Sequence, residues 1–123
     1  MVLRFTHRGN PIHFNRPRFN GKRGFNTKRY ADYKKSVVGS VRFAMSQAVD
    51  LAFPILGDIK LYMNFTRGDR RGVDIDNLIK AIMDALQDAG VFKNDSQVTR
   101  VYATKSVSKN FPGVSVIVRE VGT

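Results

Sequence analysis

Between Asp74 and Asp95 the chain reads DIDNLIKAIMDALQDAGVFKND, and five of its ten acidic residues fall there: Asp74, Asp76, Asp84, Asp88 and Asp95. The rest of the chain is cationic, with 21 Lys and Arg and a formal net charge of +11. Acids gathered in one place within a basic protein suit a divalent cation. Asp74 and Asp76 are two apart, so on an extended chain both carboxylates project to one side. Asp95 lies beyond the helix that follows and joins them only if the fold brings it back. Three carboxylates with no Cys and no nearby His make an all-oxygen site, which suits Mg²⁺, with Mn²⁺ as a substitute. Such a site activates water and stabilises the leaving oxygen in phosphodiester hydrolysis. Asp74, Asp76 and Asp95 are therefore the candidate metal ligands and catalytic acids.

Lys80 stands one helical turn beyond Asp76. It can offset carboxylate repulsion, hold a phosphate oxygen or stabilise a transition state. It is equally an i,i+4 partner for Asp76 and Asp84 on a solvated face. Asp84 and Asp88 continue the same row and read as surface acids. Competing motifs fail on particular residues. A calcium EF-hand loop starting at Asp74 would need an oxygen ligand at its fifth position and Gly at its sixth, where Leu78 and Ile79 stand. A phosphoaspartate nucleophile should close an apolar strand, but Asp74 follows Arg70-Arg71-Gly72-Val73. No GxxxxGK[ST] loop is present. His7 and His13 read as loop residues without a catalytic role.

The charge distribution points to a polyanion, and nucleic acid is its commonest form. Residues 1–35 hold ten Lys and Arg against one acid, Asp32. Within them, residues 7–26 read as a long basic loop rich in Gly, Asn, Pro and Arg. There Phe14, Phe19 and Phe25 are interleaved with Arg16, Arg18, Lys22 and Arg23, a mixture that stacks on bases and holds phosphates. Arg67, Arg70 and Arg71 precede Asp74 and are expected to grip phosphate beside the metal. Arg100 and Lys105 would extend the basic surface. With no cysteine, disulfides and thiolate metal sites are excluded. No apolar run approaches a membrane span, and MVLRFTHRGN has no signal-peptide core, so a cytoplasmic protein is expected.

Positioning these residues requires one domain over 1–123. VLRFT (2–6) reads as a strand. A helix from Thr27 to near Asp50 carries the stripe Tyr30, Tyr33, Val37, Val41, Ala44, Met45 and Ala48. DIKLYMNF (58–65) alternates as a strand. A second helix opens at Asp76-Asn77, buries Leu78, Ile82, Ala85, Leu86 and Ala89, and stops at Gly90. Strands are expected at 98–107 and 114–121, joined as a hairpin. The expected class is α+β, a small mixed sheet of about four strands with two helices in the order β-α-β-α-β-β.

The string Asp74-Ile75-Asp76-Asn77-Leu78-Ile79-Lys80, then Asp84-Ala85-Leu86, Ala89-Gly90 and Asn94-Asp95-Ser96-Gln97-Val98, resembles the signature of the RusA family of Holliday junction resolvases, the crossover junction endodeoxyribonucleases. The resemblance implies a homodimeric, Mg²⁺-dependent endonuclease that resolves four-way DNA junctions by paired symmetric nicks, in recombination and repair or in phage DNA processing. It implies Asp74, Asp76 and Asp95 as catalytic metal ligands and Lys80 as catalytic lysine. It implies a bacterial host or phage as the source. Members often carry paired acids where this chain has Asn94-Asp95, and a basic run directly before the first Asp, where Gly72-Val73 intervene here. A two-fold dimer matches a two-fold junction. The alternatives are a non-catalytic basic DNA-binding module and a metal nuclease for other branched DNA.

Overall fold

The structure, a computed structural model, describes residues 2–13 and 25–121. Along the chain run β1 (Val2–Arg8), α1 (Phe25–Gln47), β2 (Ile59–Arg67), α2 (Ile75–Ala89), a 3-10 turn (Asp95–Gln97), β3 (Val98–Val107) and β4 (Gly113–Glu120). The four strands form one sheet in the order β1-β4-β2-β3. β2 and β3 are parallel, and β4 is antiparallel to both of its neighbours, so the sheet is mixed. The α+β class and the element order are as the sequence implies.

The hairpin expected over 98–121 does not form, because β2 lies between β3 and β4. The reason is the crossover. A strand, a helix and a strand in succession deliver the second strand parallel to the first, and α2 carries the chain from the end of β2 back to the start of β3. The segment 108–112 then passes the end of β2, where the Ser108 N–H donates to the Arg67 carbonyl at 2.8 Å. β4 returns on the other side of β2. Its central position explains why Val114, Val116 and Val118 are all buried.

Alternation along the strands turns one face of the sheet toward both helices. Leu3 and Phe5, then Ile59, Leu61, Met63 and Phe65, then the three valines of β4 pack against Val37 and Val41 of α1 and Leu78, Ile82, Ala85 and Leu86 of α2. Burying a side chain of this kind contributes about 1.5–3 kcal/mol before entropic costs. α1 begins at Phe25 and ends at Gln47, so it starts two residues before the expected cap Thr27 and stops short of Asp50. α2 ends on Gly90 at φ 88°, with its N–H turned back to the carbonyls of Gln87 and Leu86. A side chain there would force the strained left-handed conformation.

β1 runs on through Arg8, which puts His7 in a strand instead of a loop. Its ring faces α1: Nδ1 lies 2.7 Å from Ser40 Oγ and Nε2 lies 3.4 Å from Ser36 Oγ. Tyr33 meets it edge-on. His7 is thus a strand-to-helix contact. Arg16, Arg18, Lys22, Arg23, Phe14 and Phe19 lie outside the described residues, as does the side chain of Phe25.

Candidate active site

The chain leaves β2 at Arg67 and enters α2 through a basic loop that ends on Asp74. Asp74 is the N-cap of α2, in an extended conformation (φ −69°, ψ 131°), and its side chain makes no capping hydrogen bond. An Asp at this position ordinarily spends its carboxylate on the first backbone N–H groups. Here the backbone carbonyl of Asp74 accepts the first helical bonds from the N–H groups of Asn77 and Leu78, while its carboxylate is left uncapped and exposed. Ile75 is already helical, one residue earlier than expected, so Asp76 sits in the first turn. Its Oδ1 accepts from the Asn77 N–H at 3.0 Å. Two exposed carboxylates at a helix N-terminus are favoured by the helix dipole and leave free oxygens for a hard cation. The donor set therefore fits Mg²⁺ in part.

Asp95 is elsewhere. Among the described residues no three of His, Cys, Asp and Glu come close enough to share a metal ion. The topology explains this. Asp74 and Asp76 lie at the end of β2, while Asp95 precedes β3, which starts beside Ile59 at the beginning of β2. The 15 residues of α2 separate them, which is about 20 Å of helix. The motif around Asp95 divides into structural and free parts. Asn94 Oδ1 accepts from the Ser96 N–H at 3.0 Å, and Gln97 Oε1 accepts from the Asn94 N–H at 3.2 Å, a reciprocal capping box. Gln97 Nε2 donates to the carbonyls of Ile55 and Gly57 at 2.8 and 3.0 Å. Asn94 and Gln97 hold the turn, and the Asp95 side chain projects from it, exposed. The pattern Asn-x-x-Gln carried that signal in the sequence.

Lys80 lies one turn above Asp76, exposed, with Nζ 3.4 Å from Asp84 Oδ1. Asp84 also accepts from the Tyr30 hydroxyl at 2.8 Å. Burial, and then that bond, push the Tyr30 phenol well above its ordinary range. Asp88 pairs with Lys34 at 3.0 Å. Asp84 and Asp88 thus tie α2 to α1, a role the row of four-apart acids did not reveal. Their partners are some fifty residues away in sequence.

The loop before Asp74 is fastened to the N-terminal segment. Arg67 is buried, and its guanidinium donates to the Pro11 carbonyl and to Asp69 Oδ1. Asn10 Oδ1 accepts from the Gly68 N–H at 2.9 Å, and the Gly9 N–H donates to the Pro112 carbonyl at 3.0 Å. Asp69 also accepts from the Arg71 N–H; that bond, and then the Arg67 guanidinium, hold its carboxyl below the usual range. Arg67 therefore faces inward and clasps backbone, whereas Arg70 and Arg71 face solvent beside Asp74. Lys105 Nζ donates to the Val73 carbonyl, which sets an ammonium next to the residue before Asp74. Arg100 is exposed on β3, away from this loop.

The family described as endodeoxyribonuclease RusA matches residues 8–119. A crossover junction endodeoxyribonuclease RusA of Aquifex aeolicus (strain VF5) is 39% identical over 51 residues, 42% of this chain and 40% of that protein. The matched part thus spans about two fifths of this relative's length. With the family's extent covering almost every described element, from the end of β1 to the end of β4, the chain belongs to the endodeoxyribonuclease RusA family.

Proposed function

We propose that this protein is a Mg²⁺-dependent endodeoxyribonuclease that resolves four-way DNA junctions as a homodimer, with each active site built from two chains. The carrying observation is the pair of exposed carboxylates at the start of α2, beside Arg70 and Arg71, of which Asp74 makes no capping bond and Asp76 engages one oxygen with the Asn77 N–H. Arg70 and Arg71 draw a backbone phosphate to the mouth of α2. Lys80, one turn behind Asp76, is within reach of a non-bridging oxygen of that phosphate. A bound Mg²⁺ would supply a Lewis acid and an activated water.

In this reading the third acid, Asp95, comes from the other chain, because within one chain it lies at the far end of α2 from Asp74 and Asp76. β3 offers the means. It is an outer strand, its edge unpaired among the described residues, and Val101, Tyr102 and Val107 are exposed on it. Two β3 edges paired antiparallel about a two-fold axis would set the start of one against the end of the other. Asp95 of each copy would then approach the Asp74 and Asp76 end of its neighbour. Such a dimer presents two sites to two strands, the symmetry of a four-way junction. The relative's name mentions crossover junctions, which supports the choice of substrate.

The test is a nicking assay on labelled four-way, forked and linear DNA, with Mg²⁺ or with chelator. Paired symmetric nicks on the four-way junction, abolished by chelator, are expected. Asp74→Asn and Asp76→Asn should abolish cutting while junction binding persists. Cutting by those variants at the wild-type rate, or equal cutting of forked and linear DNA, would overturn the proposal.

A further inference from the structure

Among the described residues both helices pack on one face of the sheet, and the other face is uncovered. On the other face the strand register lines up residues in rows. One row runs Arg119, Lys60, Arg100 across β4, β2 and β3. The next runs Arg4, Ile117, Tyr62, Tyr102, and there the two tyrosine rings stack 5.1 Å apart at 7°. The third runs Thr6, Ser115, Asn64, Thr104, linked by Thr6···Ser115 and by Thr104 donating to Asn64. Arg8 lies beyond it on β1, opposite Gly113.

No strand position on this face holds an acid. Asp58 flanks the first row at the start of β2, and Glu120 has the parity of the buried valines, on the opposite face. None of Arg4, Lys60, Arg100 or Arg119 has an acidic partner within ion-pair distance among the described residues. Like charges directly opposite one another on neighbouring strands are destabilising. Arg119, Lys60 and Arg100 nonetheless stand side by side across three strands, about 10 Å from end to end at the backbone. A cationic row of this kind, backed by a ladder of hydroxyl and amide groups, is complementary to a line of phosphates.

We infer that the open face of the sheet is a second DNA-binding surface, separate from the acidic mouth of α2, and that it holds the phosphate backbone of a duplex arm. The inference rests on the proposed function only in taking DNA as the polyanion. Arg119, Lys60 and Arg100 carry the contacts, Arg4 and Arg8 extend them along β1, and the stacked tyrosines stiffen the platform between the rows. The face supplies affinity and orientation but no chemistry.

The experiment measures binding of fluorescent four-way and linear duplex DNA in chelator, across a salt series, for the wild type and for a Lys60→Gln/Arg100→Gln/Arg119→Gln variant. Each phosphate contact contributes about 0.9 to the slope of log affinity against log salt. The triple variant should lose about three units of slope and at least tenfold in affinity near ~100 mM salt. A Lys35→Gln/Arg42→Gln variant, changed on α1, should keep the wild-type slope to within about one unit. As a measurement on the unaltered protein, bound DNA should protect Lys60 from acetylation and leave Lys35 reactive. A wild-type slope in the triple variant, or equal labelling of Lys60 with and without DNA, would overturn the inference. Both readouts use chelator, so they are independent of nicking. Loss of slope in a protein that never cuts would leave this surface standing and remove the proposed activity.

Discussion

At Asp95 and Gln97 two polar side chains in one short turn have opposite assignments. Gln97 closes a capping box and bonds the carbonyls of Ile55 and Gly57. Gln97→Ala should therefore lower unfolding free energy by about 1–2 kcal/mol in urea titration. Asp95 is exposed at the same turn. Asp95→Ala should stay within about 0.5 kcal/mol of wild type and yet abolish cutting. His7 gives a pH signature. Burial holds its imidazole below the ordinary value of 6.5, so the folded state binds fewer protons than the unfolded chain. The associated stability is complete above pH 6.5 and is lost as pH falls from there through the lower folded value. His7→Asn should flatten that decline in melting temperature between neutral pH and pH 5.

At the scale of elements, the end of β2 organises the approach to Asp74. Arg67 closes the strand by bonding Pro11 and Asp69, whereas Arg70 and Arg71 point outward. Arg67→Ala should cost about 2 kcal/mol of stability, because the buried guanidinium's packing is lost and the buried Pro11 carbonyl loses its donor. Arg70→Ala/Arg71→Ala should leave stability within about 0.5 kcal/mol and weaken DNA binding in a salt-dependent manner. Three arginines close together in sequence thus separate into one structural and two surface residues. That division is invisible in the string TRGDRRG, since Pro11 and Asn10 reach the loop from more than fifty residues away. What was legible followed local rules. The period of β2, the stripe of α1, the buried face of α2 and Gly90 at its end each depend on neighbours a few residues apart. The hairpin expectation failed because strand order is a long-range property. β3 and β4 are close in sequence, but the crossover through α2 commits β3 to the outer edge.

At the scale of the molecule, no helix among the described residues is long and apolar enough to cross a membrane. The sheet face away from the helices carries Arg4, Arg8, Lys60, Arg100 and Arg119, and the acids flanking α2 lie at its opposite ends. The sequence proposes Asp74, Asp76 and Asp95 as one chemical set but could not show that a single chain keeps Asp95 away from the other two. Their separation makes the site's composition testable by mixing chains. Asp74→Asn and Asp95→Asn chains carrying different tags can be co-expressed, and the heterodimer purified through both tags. Each homodimer should be inactive on four-way junctions. If sites form between chains, the heterodimer holds one site with both changes and one with neither. It should then nick a junction on one strand at up to half the wild-type total rate, without the paired second cut. A heterodimer as inactive as either homodimer would contradict a shared site.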